Sequence, residues 1–180
     1  GLHWAVISPL HALEIQADIP EIESAGRMFY CYSQTYSYTQ NENIKRFQED
    51  HGFYVDPVII DMFDIEFIIG NPETALTELN SIVLTESFAN RYFGEENPLG
   101  KTLQNEQNQR EMQVTGVIED LPLNTHLNYE YLVSMPTLYD EMEQRGAADW
   151  MESRGWAHFS TYILMNENAN MEDANEKMLT

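Results

Sequence analysis

Cysteine, basic residues and long apolar runs are all scarce in this 180-residue chain, and each scarcity removes a class of protein. The single cysteine, Cys31, forbids an intrachain disulfide, and its place in an alternating apolar and polar run reads as a small buried hydrophobe rather than a reactive thiol. A chain of this length buries roughly 70% of the surface its unfolded form exposes, so no disulfide scaffold is needed. Only 9 lysines and arginines stand against 30 aspartates and glutamates, a formal net charge of −21. That balance repels phosphate backbones and anionic headgroups, which excludes nucleic acid as a partner. The acids are spread along the chain, as on a solvated surface, with attraction of cationic peptides or a basic partner as the sharper reading. No apolar run approaches the ~20 residues that span a bilayer. The greasiest window, VIIDMFDIEFIIG, is interrupted by Asp61, Asp64 and Glu66. There is no signal-peptide pattern and no initial Met, so the sequence reads as a piece of a longer protein.

Catalytic signatures are also missing: no GxSxG elbow, no Walker-type phosphate loop, no HExxH helix and no CxxC pair. The histidines His3, His11, His51, His126 and His158 fall in different predicted elements, so a zinc site would need long-range convergence. EF-hand spacing is absent as well. Glu119, Asp120 and His126 are close enough in sequence to suggest an acid/base group, but no nucleophile accompanies them. Asp120, Leu121 and Pro122 make a natural strand exit, with Asn124 and Thr125 able to satisfy turn amides. Gly94, Pro98 and Gly100 could cradle an anion, yet Glu95 and Glu96 oppose one, and a turn accounts for them better. No metal, no cofactor and no catalytic residue is expected.

What is present is a legible series of elements. Ser8 and Pro9 open a helix that Pro20 stops. Arg27 to Tyr38 alternates as one long strand, with Tyr30, Tyr32, Tyr36 and Tyr38 on one face. Such a face either packs beneath a neighbouring subdomain or binds sugars or peptides by stacking, which makes these four tyrosines the candidate contact residues. Gln40 to Asp50 is polar and reads as a turn or loop. A short strand over 51–56, a helical turn over 58–63 and a strand over 63–69 precede the turn at Gly70. Ser81 to Leu84 is a strand, and Thr85 caps a helix whose Phe88, Ala89, Tyr92 and Phe93 share a face before Gly94 ends it. Strands over 101–104 and 112–119 flank a hairpin tip. A strand over 127–133, a helix over 136–144, a strand over 156–165 and a helix near Met171 complete the chain. The pattern suggests a split α+β sandwich with the middle of the chain inserted as a second subdomain.

Several separated motifs occur in order: PEIE at 20–23 with Arg27 after it, VDP leading to FDIEFIIGNPETAL (Val55 to Leu76), SIVLTESFANRYFGEENPLGKTL (Ser81 to Leu103), VTGVIEDLPLNTHLNYEYLVS (Val114 to Ser134) and WAHFSTYILM (Trp156 to Met165). In this order they resemble the MacB-type periplasmic core domain of FtsX-like ABC transporter permeases, of the kind common in Bacteroidetes. The family often has Ser where Thr125 stands, and neither the tyrosine-rich strand nor the strong acidity belongs to its pattern. The resemblance implies an α+β fold of two subdomains: a porter-like split β-α-β part from both chain ends, 1–45 and 118–180, and an inserted, mainly β, sabre-like part over 46–117. It implies a periplasmic domain of an inner-membrane permease that does no chemistry. ATP is used by a separate cytoplasmic ABC ATPase subunit, a second permease copy completes a dimer, and a periplasmic adaptor is a further partner to test.

Three functions follow as expectations. The first is a non-catalytic periplasmic domain serving ATP-driven export or mechanotransmission. The second is a ligand-sensing or substrate-binding module that takes peptides or sugars through the Tyr30 to Tyr38 face or the acidic surface. The third is a hydrolase built around Asp120 and His126.

Overall fold

The structure, a computed structural model, describes residues 6–122, 125, 127–153, 158–167, 169 and 177. The first third of the chain forms β1 (Val6–Ile7), α1 (Pro9–Asp18), β2 (Ile22–Cys31), β3 (Gln34–Gln40), β4 (Asn43–Glu49) and β5 (Gly52–Val55). The middle forms α2 (Val58–Met62), β6 (Phe67–Gly70), β7 (Ser81–Thr85), α3 (Glu86–Phe93), β8 (Thr102–Asn105) and β9 (Arg110–Ile118). The last third contributes β10 (Tyr131–Ser134), α4 (Met135–Gln144), α5 (Ala148–Met151) and β11 (Phe159–Met165). Strands pair in both parallel and antiparallel senses and helices are few, the α+β class expected. The chain divides into two compact units, Tyr30–Leu138 and the flanking segments through Phe29 and from Tyr139.

In the unit built from the chain ends, β11 pairs antiparallel with β2, Ser160 opposite Met28, and with β1, Ile7 opposite Phe159. Ile19 and Ile22 are buried there with Ile15, Ile163 and Met165 around them. Arg27 is buried too. Its Nη1 donates to the Pro9 carbonyl at 3.2 Å and to the Tyr139 hydroxyl at 2.9 Å, and its guanidinium lies 5.9 Å from the Phe159 ring centroid. A buried cation held by two oxygens and an aromatic face fastens the start of α1 to the strands.

The larger unit carries a mixed sheet in the order β5, β10, β7, β9, β8, β3, β4, with β6 also on β9. β10 runs parallel to β5 and antiparallel to β7, and β7 runs parallel to β9 through a crossover that contains α3. Every residue of β7 and β10 is buried, as in strands covered on both faces, which explains SIVLT and YLVS as continuous apolar runs without alternation. Thr85 caps α3, its side chain accepting from the Phe88 amide, and the buried face is Phe88, Ala89, Tyr92 and Phe93 as the spacing predicts. Gly94 closes the helix at φ 63°, a backbone conformation that glycine adopts at low cost.

Four expectations are corrected. Arg27 to Tyr38 is not one strand: β2 starts at Ile22, and the chain leaves the ladder at Tyr32 and Ser33 before β3 begins. Gln34 donates back to the Tyr32 carbonyl at 2.7 Å across this break. The polar stretch 40–50 is not a loop but β4, joined to β3 by a two-residue turn in which Asn41 and Glu42 have φ 46° and 70°. Two successive positive φ values match the twist of a hairpin, and polar residues suit a strand at the edge of the order. The strands expected over 63–69 and 127–133 begin only at Phe67 and Tyr131. Apolar alternation there precedes the paired segment, since Asp64 turns the chain at φ 48° and Leu127 and Tyr129 are buried without belonging to a strand. Helix α5 was not expected, and the helix near Met171 lies outside the described residues.

Gly52 is where backbone and ring meet most closely. A Cβ there would lie 2.0 Å from Cζ of Tyr131, which stands opposite it on β10 and is itself buried on all sides. Gly52→Ala is therefore expected to destabilise the domain by about 3 kcal/mol, the upper range for overpacking, read from urea unfolding midpoints.

Candidate functional site

The structure separates the four candidate tyrosines. Tyr30 and Tyr32 remain together at the surface, ring centroids 5.7 Å apart and edge to face, with Phe53 5.4 Å from Tyr30. The Tyr30 hydroxyl donates to the Asp50 carbonyl, and Tyr32 is 65% exposed. Tyr36 turns the other way, fully buried with its ring 5.3 Å from Tyr131 and 6.4 Å from Phe88. Tyr38 is half-buried against Phe93 at 4.6 Å, with the Lys101 ammonium 5.6 Å from its centroid. The break at Tyr32 and Ser33 changes the side on which the alternation falls, so one face in the sequence becomes two environments.

A second constellation was not legible in the sequence. β4 places Lys45, Phe47 and Glu49 at period-two spacing along α3. Lys45 Nζ donates to the Tyr92 carbonyl at 2.7 Å, and Phe47 meets the Tyr92 ring edge-on at 5.2 Å. Glu49 Oε1 accepts from the Tyr92 hydroxyl at 2.8 Å, while its Oε2 lies 3.1 Å from Nη2 of Arg91. The same Nη2 stands 3.3 Å from Oε1 of Glu130, and the Arg91 guanidinium lies 5.0 Å from the Phe88 ring centroid. Glu49 is only 2% exposed, and burial holds its carboxyl above the usual range although Tyr92 and Arg91 pull the other way. The Tyr92 phenol is raised by its own burial and by the neighbouring carboxylate. With one oxygen on a phenol and the other on a guanidinium, Glu49 braces the β3–β4 hairpin against α3. The only sequence signal was the spacing of Lys45, Phe47 and Glu49 inside a segment whose polarity read as a loop.

Asp120 is engaged at the other end of α3. Its Oδ1 accepts from the Ser87 amide at 3.0 Å and its Oδ2 from the Ser87 hydroxyl, a carboxylate placed on the positive end of the helix. The Glu119 amide donates to the Glu66 carbonyl at 3.2 Å. His3 and His126 lie outside the described residues, and His51 Nδ1 is 3.3 Å from the Asn128 side-chain nitrogen. Among the described residues no group of three or more His, Cys, Asp or Glu side chains converges as metal ligands do. No helix among them is long and apolar enough to cross a membrane.

A mixed sheet with few helices, from a chain bearing the ordered motifs, defines an α+β domain of the kind seen in transporter permeases. The chain belongs to the MacB-like periplasmic core domain family, whose model matches residues 4–180. It is therefore a MacB-like periplasmic domain of an ABC-transporter-type permease, a family not defined by catalysis. Solved structures agree on the fold. A domain described as belonging to a permease protein from Porphyromonas gingivalis is 25% identical, with a TM-score of 0.77 over 99% of this chain and 70% of its own. The periplasmic region of MacB from Actinobacillus actinomycetemcomitans is 17% identical, TM-score 0.68, covering 98% of this chain and 72% of its own. The extracellular domain of the noncanonic ABC-type transporter YknZ from Gram-positive bacteria is 12% identical, TM-score 0.61, covering 91% and 75%. Curated protein sequences contain no match.

The brace has a defined pH signature. The folded value of Glu49 lies above its ordinary value of 4.5, so within that window the folded state holds more protons than the unfolded one. Its contribution to stability is present at low pH and lost as pH rises through the window. The unfolding free energy of wild type minus that of Glu49→Gln is expected to fall as pH rises above 4.5 and then level off, measured by urea unfolding at a series of pH values. Arg91→Met leaves the carboxylate without its cation and is expected to cost about 2 kcal/mol near neutral pH, below the fully buried range because Arg91 is one-third exposed.

Proposed function

We propose that this domain transmits or receives ATP-driven movement across the inner membrane and does no chemistry of its own. The observation that carries the reading is the family match over residues 4–180, which attaches the domain to a permease. A separate cytoplasmic ABC ATPase supplies the energy, a second permease copy provides the opposing domain, and a periplasmic adaptor is a further partner. In this reading the compact unit Tyr30–Leu138, in which β10 of the expected porter-like part (1–45 and 118–180) pairs with β5 and β7 of the expected sabre-like part (46–117), passes displacement on. The fully buried strands β7 and β10 and the brace of β4 on α3 support it, because stiff packing passes displacement on rather than absorbing it. The hydrolase reading loses ground with Asp120, whose two oxygens are occupied by Ser87.

The test uses the full permease with its ATPase. Glu73 is exposed and Cys31 is buried, so a spin label at Glu73→Cys reports on the domain without competition from the native thiol. The distance between the two labels of a dimer is expected to change between nucleotide-free and ATP-trapped states. An unchanged distance with active ATP turnover would remove the mechanical reading.

One observation favours a second reading, ligand sensing: the exposed Tyr30 and Tyr32 pair beside Phe53. Stacking of this kind is worth about 0.5–1.5 kcal/mol per aromatic pair. If it operates, oligosaccharides or peptides should give saturable chemical-shift changes that a Tyr30→Ala, Tyr32→Ala variant loses. Tyr36 contributes to packing and is left unaltered.

A further inference from the structure

We propose that the groove between β6 and α3 is a docking site for an extended, lysine- or arginine-bearing peptide segment of a partner protein. The surface is a property of this domain and does not rest on the mechanical reading. Its floor is apolar: Ile68 and Ile69 of β6, Ala89 of α3, Val117 of β9 and Pro98. Its rim is acidic, formed by Glu86, Glu95 and Glu96, with no lysine or arginine in the lining.

Three observations select the occupant. β6 is paired with β9 on one side and with no other strand among the described residues, so its second edge offers backbone groups to an added extended segment. The ladder between β6 and β9 slips between Phe67 and Ile69, which makes Ile68 a bulged residue. Bulges re-aim side chains, and Ile68 is 47% exposed at the groove, a large apolar group left in water on a strand edge. Finally, the charge is one-sided. Lys101 and Gln40 already engage Glu96, while Glu86 and Glu95 are exposed carboxylates whose field, added to that of the whole acidic chain, attracts a cation and repels an anion. An apolar side chain of the segment covers Ile68 while its neighbours of alternate direction reach the acidic rim.

The probe is a blocked hexapeptide alternating lysine and valine, titrated into the domain and followed by backbone amide shifts. The expected result is saturable binding with shifts confined to β6, the N-terminal half of α3 and residues 94–98. Glu86→Gln with Glu95→Gln is expected to weaken it about fivefold, in the range of two exposed ion pairs. Ile68→Ser is expected to weaken it about tenfold through lost apolar cover. All three substitutions are at exposed positions, and circular dichroism checks that the variants fold. A hexapeptide alternating glutamate and valine should not bind. Equal binding of that peptide would overturn the proposal, as would unsaturable shifts spread over the acidic surface and indifferent to the variants. Concentration-dependent self-association that Ile68→Ser abolishes, with no peptide binding, would assign the groove to a second copy of this chain and overturn it equally.

Discussion

Glu49 keeps a carboxylate almost out of water, and the arrangement around α3 is what makes that tolerable. Desolvating an ion costs several kcal/mol unless a counter-charge and hydrogen bonds replace the water. Arg91 supplies the charge and Tyr92 the hydrogen bond, from adjacent positions on one helix. Both can do so because α3 turns its buried Phe88 and Tyr92 rings, stacked at 4.9 Å, onto rings of the sheet, and those contacts between elements set how the helix is rotated. The brace therefore depends on an aromatic layer, and the layer in turn includes Tyr36 from β3 and Tyr131 from β10. Hairpin, helix and central strand are locked by one group of rings with a charged clasp at its margin.

The consequence for the proposed function lies in stiffness. Strands β7 and β10 are buried along their whole length, and the helix that covers them is fixed at both ends, by Asp120 and Thr85 at its start and by Gly94 at its close. Closely packed interiors shift between discrete arrangements instead of deforming smoothly. A domain that passes movement on, as proposed above, has use for that property, because displacement applied to stiff packing is handed on rather than absorbed.

Much of the α3 region was readable because its signals are local. Thr85, the 3.6-residue spacing of Phe88, Ala89, Tyr92 and Phe93, and Gly94 all act within one turn of their neighbours. The hairpin at 40–43 was not, because Asn41 and Glu42 lack the Asn-Gly pattern that marks such turns and β4 carries polar residues suited to an edge. The candidate tyrosines show the same limit from the other side. Alternation set all four on one face, yet a break of two residues sent Tyr36 into the aromatic layer and left Tyr30 and Tyr32 outside.

The sequence by itself determined the α+β class, the acidic surface, the ends of α1 and α3 and the family, since each is set by composition, short-range spacing or ordered motifs. Tertiary structure alone decided which charged residues, Glu49 and Arg27 among them, would be buried and what would hold them there. Glu49, Arg91 and Glu130 lie far apart in the chain and reveal nothing singly. Their meaning comes from strand register, which brings β4 onto α3, and register is fixed by pairing between segments distant in sequence, beyond the reach of local propensity.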